Sequence, residues 1–348
     1  MKSTRLAGFL VVCGAAAIIA AGAVSAPAPP QAAPATGGGS IVYEKGGKLW
    51  IASPDGRGKR RVPHSGTFDW PSQADNGTIV AQRGIYFHRL SRSGRELNKP
   101  ITTAFRTNPI LPAFKGPFLP EVSPDGKKIA YTYYFTAAHY DPACNCQVVS
   151  PSRNTSYTYA NRYVEGPNKV FGRIGFHGSA SWIDNRTTLA TTEHLYDYAG
   201  KVMDSVAFNK LGGGDDSYRN WFTECVSGCD SIQTLKMYRV DEGEMTRQRD
   251  KLVFTAGNLD GPATGKRMFI YRLTGAPPKL PGTPCHVTGA NGKFTSPTWS
   301  PDGKSLAWAD KKGIWVGQVG DVSGETCQLT RKLLIPGGSS PDWGPAKP

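Results

Sequence analysis

Signatures of catalysis are missing from this chain of 348 residues. It has no Gly-x-Ser-x-Gly turn to present a serine nucleophile and no His-Glu-x-x-His pair to hold a catalytic zinc. Gly212-Gly213-Gly214 runs into Asp215 and Asp216 rather than Lys-Ser/Thr, so it is not a phosphate-cradling loop. Two carboxylates are also too few for a calcium site. Cys144-Asn145-Cys146, with Cys225 and Cys229, lacks the usual Cys-x2-Cys zinc knuckle. No cofactor is expected, and the chain reads as a non-enzyme.

Acidic residues are scarce as well. Lys and Arg number 41 against 27 Asp and Glu, a formal charge of +14, which falls to +12 once Lys2 and Arg5 are set aside. Such an excess steers anionic polymers towards the surface. With no recognition helix or RNA-binding motif, nucleic acid is not the expected partner. An anionic wall polymer or lipid surface suits the charge better. The densest basic run, Arg57 to Arg61, falls in a predicted strand-to-strand turn and reads as a solvated hairpin.

The first 26 residues read as a secretion signal: Lys2 and Arg5, then an Ala- and Gly-rich apolar run from Leu6 to Val24, then small residues suited to cleavage. Retention of that run as a membrane anchor is the alternative. Residues 27–40 form a Pro/Ala and then Gly/Ser tether. An exported location follows, secreted or envelope-associated. Six cysteines remain after the signal: Cys144, Cys146, Cys225, Cys229, Cys285 and Cys327. An even number in an exported chain favours disulfides, whose connectivity stays open. Cys225 and Cys229 suit a local bond. Cys285 and Cys327 stand at equivalent repeat positions, where outer strands are expected too far apart for one bond; either the register slips there or each pairs elsewhere.

What is abundant is a repeat. Ser296-Pro297-Thr298-Trp299-Ser300-Pro301-Asp302-Gly303-Lys304 runs into the strand Ser305 to Trp308, and Leu119 to Tyr131 nearly copies it. Weaker copies surround Trp70, Trp182 and Met245, and the last, Ser340-Pro341-Asp342-Trp343, lacks a second strand. Anchors at Trp70, Val122, Trp182, Met245, Trp299 and Trp343 lie 52, 60, 63, 54 and 44 residues apart. Units of this kind built of short strands mark a propeller blade. Proline is tolerated where no ladder donor is needed, and Asp-Gly supplies the positive dihedrals of a tight hairpin. Lys48–Ile51, Gly84–Phe87, Arg267–Tyr271 and Gly313–Gly317 read as third strands; Arg60–Val62, Cys285–Thr288 and Cys327–Thr330 read as fourth strands. Residues 41–346 begin on a second-strand pattern and end on a first-strand pattern. Pairing the two ends would remove both raw edges. The expectation is an all-β, six-bladed propeller closed by its C-terminal strand.

Those Ser-Pro-Asp-Gly turns and that strand closure resemble the TolB-like, WD40-like family of exported bacterial propellers. The resemblance implies a six-bladed binding platform outside the cytoplasm. It departs from the family's namesake in that the tether runs straight into a strand, with no α/β domain ahead of it.

Departures from the repeat fall in the third and fourth units. Tyr133 to Cys146 lengthens a second-to-third strand link, residues 151–175 interleave tyrosines with Arg and Asn, and residues 194–232 hold further aromatics. Aromatic loops on a rigid face make a recognition surface. The candidate ligand-binding residues are Tyr134, His139, Tyr140, Tyr157, Tyr159, Tyr198, Asp215, Asp216 and Trp221. The reading is a monomeric exported scaffold that recognises an envelope or extracellular protein or peptide through its loop-rich face. The alternatives are cell-wall glycan binding, with Trp221 and the tyrosines stacking on sugars, and a propeller lyase or hydrolase using His139, His177 or His194 with a metal.

Overall fold

The computed structural model describes residues 37–102, 116–141, 143–161, 176–196, 202–210, 219–223, 238–258, 266–275, 284–289, 292–320 and 326–348. They form a β-propeller of antiparallel sheets. The first sheet holds β1 (Ser40–Lys45), β2 (Lys48–Ala52) and β3 (Arg60–Arg61); the second holds β4 (Asp69–Gln73), β5 (Ile79–Arg83), β6 (Tyr86–Leu90) and β7 (Ile101–Thr102). The third holds β8 (Phe118–Val122), β9 (Lys128–Asp141) and β10 (Cys146–Tyr159). The fourth comprises β11 (Phe176–Trp182), β12 (Thr187–Tyr196), β13 (Val202–Lys210) and β14 (Arg219–Thr223). The fifth comprises β15 (Tyr238–Met245), β16 (Lys251–Asn258), β17 (Arg267–Arg272) and β18 (His286–Val287). The sixth comprises β19 (Thr295–Trp299), β20 (Ser305–Asp310), β21 (Gly313–Gln318) and β22 (Lys332–Pro336). The last strand, β23 (Ser339–Gly344), pairs antiparallel with β1, Ile41 opposite Trp343 and Val42 opposite Asp342. The expectation of six like blades is corrected. Five sheets have the full four strands, and the third has three among the described residues.

Apolar side chains between neighbouring sheets explain why these short strands hold. Val42, Leu49 and Ile51 meet Ile79, Ala81 and Leu90 of the second sheet; Val80 and Phe87 meet Val122, Ile129 and Tyr131 of the third. Ala130 meets Ala180 and Trp182, and Leu189 meets Met245 and Phe254. Val253 and Ile270 meet Trp299 and Leu306, and Ala307 and Ile314 meet Ile41, Tyr43 and Trp343. Each core joins one sheet to the next, and the last lies between the sixth and the first.

The innermost strands share a kink. Trp70, Leu119, Ser296 and Ser340 take positive φ (46°, 51°, 48° and 47°), each just before a proline, and the ladder slips there in every innermost strand. An inner edge needs no donor on its open side, so Pro71, Pro120, Pro297 and Pro341 break no ladder bond. This register corrects one anchor: Trp70 matches Ser296, while the place of Trp299 is taken by Gln73, which pairs with Ile79.

The turns are also more specific than an Asp-Gly hairpin. In the Asp125-Gly126 and Asp302-Gly303 turns the glycine carries positive φ, at 71° and 66°, and the aspartate does not. The aspartate works through its side chain: Ser300 Oγ donates to Asp302 Oδ1 at 2.6 Å, the Lys304 amide donates to the same oxygen, and the Ser305 amide donates to Ser300 Oγ at 2.8 Å. Ser123, Asp125, Lys127 and Lys128 repeat this set.

Two disulfides give pairings that the sequence left open, one of them through a slipped register. Cys285 and Cys327 are bonded to each other, Cα–Cα 5.1 Å. The register slips: the fourth strand of the sixth sheet is β22, and Cys327 lies past the end of β21, where the Gly320 amide donates to Gln328 O. From there its own amide reaches Cys285 O at 2.9 Å. Cys144 and Cys146 are bonded too, Cα–Cα 5.2 Å, so neither is a free zinc thiolate. Cys225 and Cys229 lie outside the described residues. The long link after Tyr133 is a β-ribbon: β9 and β10 pair residue by residue from Lys128–Tyr159 out to Asp141–Cys146. At about 3.4 Å per residue, strands of this length reach well beyond their five-residue neighbours.

Candidate functional site

One residue before each anchor, a polar side chain turns inwards. In order around the six sheets these are Asp342, Ser72, Glu121, Ser181, Glu244 and Thr298, and all but Ser72 line a single central cavity of about 100 Å³. All six innermost strands contribute to its wall. Carboxylates and hydroxyls alternate, so each acid stands on every second sheet.

These side chains latch neighbouring sheets. Ser72 Oγ accepts from the Val122 amide (3.0 Å), Thr298 Oγ1 from the Trp343 amide (3.1 Å), and Glu244 Oε1 from the Trp299 amide (3.3 Å). Asp342 Oδ2 accepts from the Gln73 amide. Indole N–H groups follow the same rule, Trp182 donating to Glu121 O at 2.7 Å and Trp299 to Glu244 O at 3.1 Å. Ser181 is different. Its side chain is buried, 8% exposed, and its Oγ has no hydrogen-bond partner.

Gathering three acids away from bulk water raises the cost of their charge. Burial first, then the negative charge of Asp342, pushes Glu244 up to about 8, against the Thr298 hydroxyl and the Trp299 amide. Burial, followed by the charges of Asp342 and Glu244, raises Glu121 well above the usual carboxylate range. Asp342 is raised by burial, opposed by the Gln73 amide and the Ser72 hydroxyl.

The cavity is a cup. Its wall starts at the kinked residues Trp70, Leu119, Ser296 and Ser340, on the side of the second-to-third strand turns, and descends to the acid ring. Trp70 stands edge-on to Phe118 at the mouth (5.8 Å). At the opposite end, on the side of the first-to-second strand turns, Arg247 from the fifth sheet forms a two-pronged ion pair with Asp75 from the second, at 2.6 and 2.5 Å. Glu242, near the mouth, accepts from the Ser296 amide.

None of the described residues expected from sequence to bind ligand lines this cup. Tyr134, His139 and Tyr140 lie on the ribbon, opposite Arg153, Val148 and Gln147. Tyr157 and Tyr159 lie at the other end of β10, opposite Ala130 and Lys128; Tyr157 packs on the Ala130–Trp182 cluster and Tyr159 is exposed. Trp221 is on β14, the last strand of the fourth sheet. Tyr198, Asp215 and Asp216 lie outside the described residues. His177 is the second residue of β11 and His194 lies near the end of β12. A second cavity, about 310 Å³, is walled by Trp308, Trp315, Asp310 and Arg331 and offers the indole that the glycan expectation placed at Trp221. Sequence reasoning missed Glu121, Glu244 and Asp342. The available signal was a polar residue recurring between the kink and the anchor, in Pro120-Glu121-Val122, Pro297-Thr298-Trp299 and Pro341-Asp342-Trp343.

No family model matches the chain, and no curated protein does. Among solved structures it is similar to TolB from Acinetobacter baumannii, with 14% identity and a TM-score of 0.46, over 88% of this chain and 66% of that one. It is similar to the periplasmic gluconolactonase PpgL of Pseudomonas aeruginosa, with 12% identity and a TM-score of 0.48, over 85% and 83%. A third is the putative TolB of Agrobacterium tumefaciens, with 12% identity and a TM-score of 0.43, over 88% and 92%. The chain thus spans under two thirds of the Acinetobacter protein. At these values the likeness goes no further than the propeller fold.

Proposed function

We propose that this chain is an exported binding scaffold: a six-bladed ring, with the three-stranded sheet as its third blade and β23 closing it against β1. It takes a protein or peptide ligand on the face where the cup opens and the β9–β10 ribbon stands. The observation that carries this reading is the cup itself. Glu244, Thr298 and Asp342 in its wall are engaged in latching neighbouring sheets, which fits a preorganised wall better than a set of reacting groups. At about 100 Å³ it is smaller than the roughly 300–1,000 Å³ of small-molecule sites, so it suits one side chain of a larger partner. The ribbon beside it adds length along which a partner's backbone or side chains can lie. Disulfides at Cys144–Cys146 and Cys285–Cys327 fit an oxidising compartment.

Capture from envelope extract tests this. Intact protein is expected to retain one protein, and replacing residues 134–153 by a two-residue turn is expected to abolish retention. The milder His139→Ala/Tyr140→Ala pair should weaken it without changing the melting temperature. No protein retained, or equal retention by both variants, overturns the reading.

A further inference from the structure

The acid ring has a symmetry that latching alone does not explain. Glu121, Glu244 and Asp342 stand on alternate sheets, about a third of a turn apart around the cavity. Two hydroxyls between them are engaged, Ser72 with the Val122 amide and Thr298 with the Trp343 amide. Ser181, between Glu121 and Glu244, lines the same cavity buried and without a partner. Among the described residues, Arg247 at the base of the cavity has both prongs of its guanidinium on Asp75. Three acidic side chains and one unpartnered acceptor therefore face one small, deep space.

We propose that this cup receives a single primary ammonium group, the lysine side chain of a partner peptide. A primary ammonium carries three N–H donors about a threefold axis and no acceptor. Entering along the axis, it presents one donor to each carboxylate, and Ser181 Oγ supplies a further acceptor between two of them. A guanidinium is planar and matches a single carboxylate edge better than a trigonal set. Trp70 and Phe118 at the mouth give the four-carbon stem an apolar wall. The chain's net positive charge repels cations at long range, but charges farther than about 8–10 Å are screened at physiological salt. The cup's own acids therefore dominate once the head group is inside.

This assignment rests on the peptide-scaffold reading, and its test needs no natural partner. The intact protein is titrated at pH 8, by calorimetry or ligand-observed NMR, with acetyl-Gly-Lys-Gly-amide and with its Nε-acetyl, Nε-trimethyl and arginine counterparts. Charge-assisted hydrogen bonds set the preference, so the lysine peptide is expected to bind at least about tenfold more tightly than each of the others. Trimethylation keeps the charge and removes the donors, which separates hydrogen bonding from simple attraction. Glu244→Gln is expected to weaken lysine binding about tenfold or more. Should it fail to fold, Ser181→Ala, which removes a hydroxyl without a partner, is expected to keep the melting temperature and weaken binding several-fold. No binding of the lysine peptide, equal binding of the acetylated or trimethylated form, or calcium displacing the amine each overturns the assignment. Ribbon-dependent capture of a protein partner would survive any of these results, so the two readings fail separately.

Discussion

Glu244 holds its proton up to about pH 8 in the folded protein, whereas the unfolded chain releases it near 4.5. Between those values the folded state binds more protons, so stability falls as pH rises and this contribution is complete only below about 4.5. Glu121 and Asp342 are raised as well and add to the slope. His64 and His286 are lowered by burial and oppose it below their ordinary 6.5, because protonation then favours the unfolded chain. Asp125 and Asp250 are held below their ordinary range by Ser123 and Lys127, and by Lys251 and Thr246, despite burial that works the other way. Their stabilisation disappears only at stronger acidity. The difference between wild type and Glu244→Gln isolates the ring. Melting curves from pH 5 to 8.5 should show wild type losing stability relative to the variant as pH rises, by at most about 1.4 kcal/mol per unit for this one group. Parallel curves would place the titrating proton elsewhere. This site was hard to read in the sequence for a physical reason. Along one strand, Glu121 or Asp342 looks like any outward polar residue beside a buried anchor. Its burial arises only because six such strands converge.

Strand order was legible where a repeat carried its own turn chemistry. Ser123 to Lys128 and Ser300 to Ser305 name their turns outright, because the serine and aspartate side chains satisfy the amides that the hairpin leaves open. Outer strands carry no such mark. Cys327 to Thr330 has the look of Cys285 to Thr288, yet the sixth sheet ends in Lys332–Pro336. With the segment displaced beyond β21, the Cys285–Cys327 bond clips the outer edges of the fifth and sixth sheets together. The bond spans 42 residues of sequence. A loop of that size is worth about 2–4 kcal/mol, chiefly by restricting the unfolded chain. The double variant Cys285→Ser/Cys327→Ser should therefore unfold at lower denaturant by about that amount, with an unchanged circular dichroism spectrum. The same loss should appear when wild type is reduced, and reduction should then have little further effect on the double variant. The β9–β10 ribbon was misread as a loop for a related reason. Ala137, Ala138 and Pro151 weaken a strand pattern that continuous cross-strand pairing nonetheless sustains.

At the scale of the molecule, everything depends on how the tail meets the head. β23 supplies the inner strand of the first sheet, and its removal would expose the length of β1. It would also take Trp343 from the core shared with Ile41, Tyr43 and Ile314, and leave Thr298 without the Trp343 amide and Gln73 without its Asp342 partner. Losses of that kind fall on two interfaces at once, those with the sixth and second sheets. If the sheets form one closed ring, neither interface can loosen without freeing the others to splay, and unfolding should stay cooperative. Deleting residues 338–348 is therefore expected to lower the midpoint of a single transition for the whole protein. Trp343→Ala, which empties a buried site worth about 3–5 kcal/mol, should fall between the truncation and wild type. Hydrogen exchange gives the decisive measurement, read at β9 and β12, on sheets remote from the tail. Faster exchange there in the truncated chain means that closure is felt around the ring. Unchanged exchange, with fraying confined to β1 and β2, means that the sheets form an open stack.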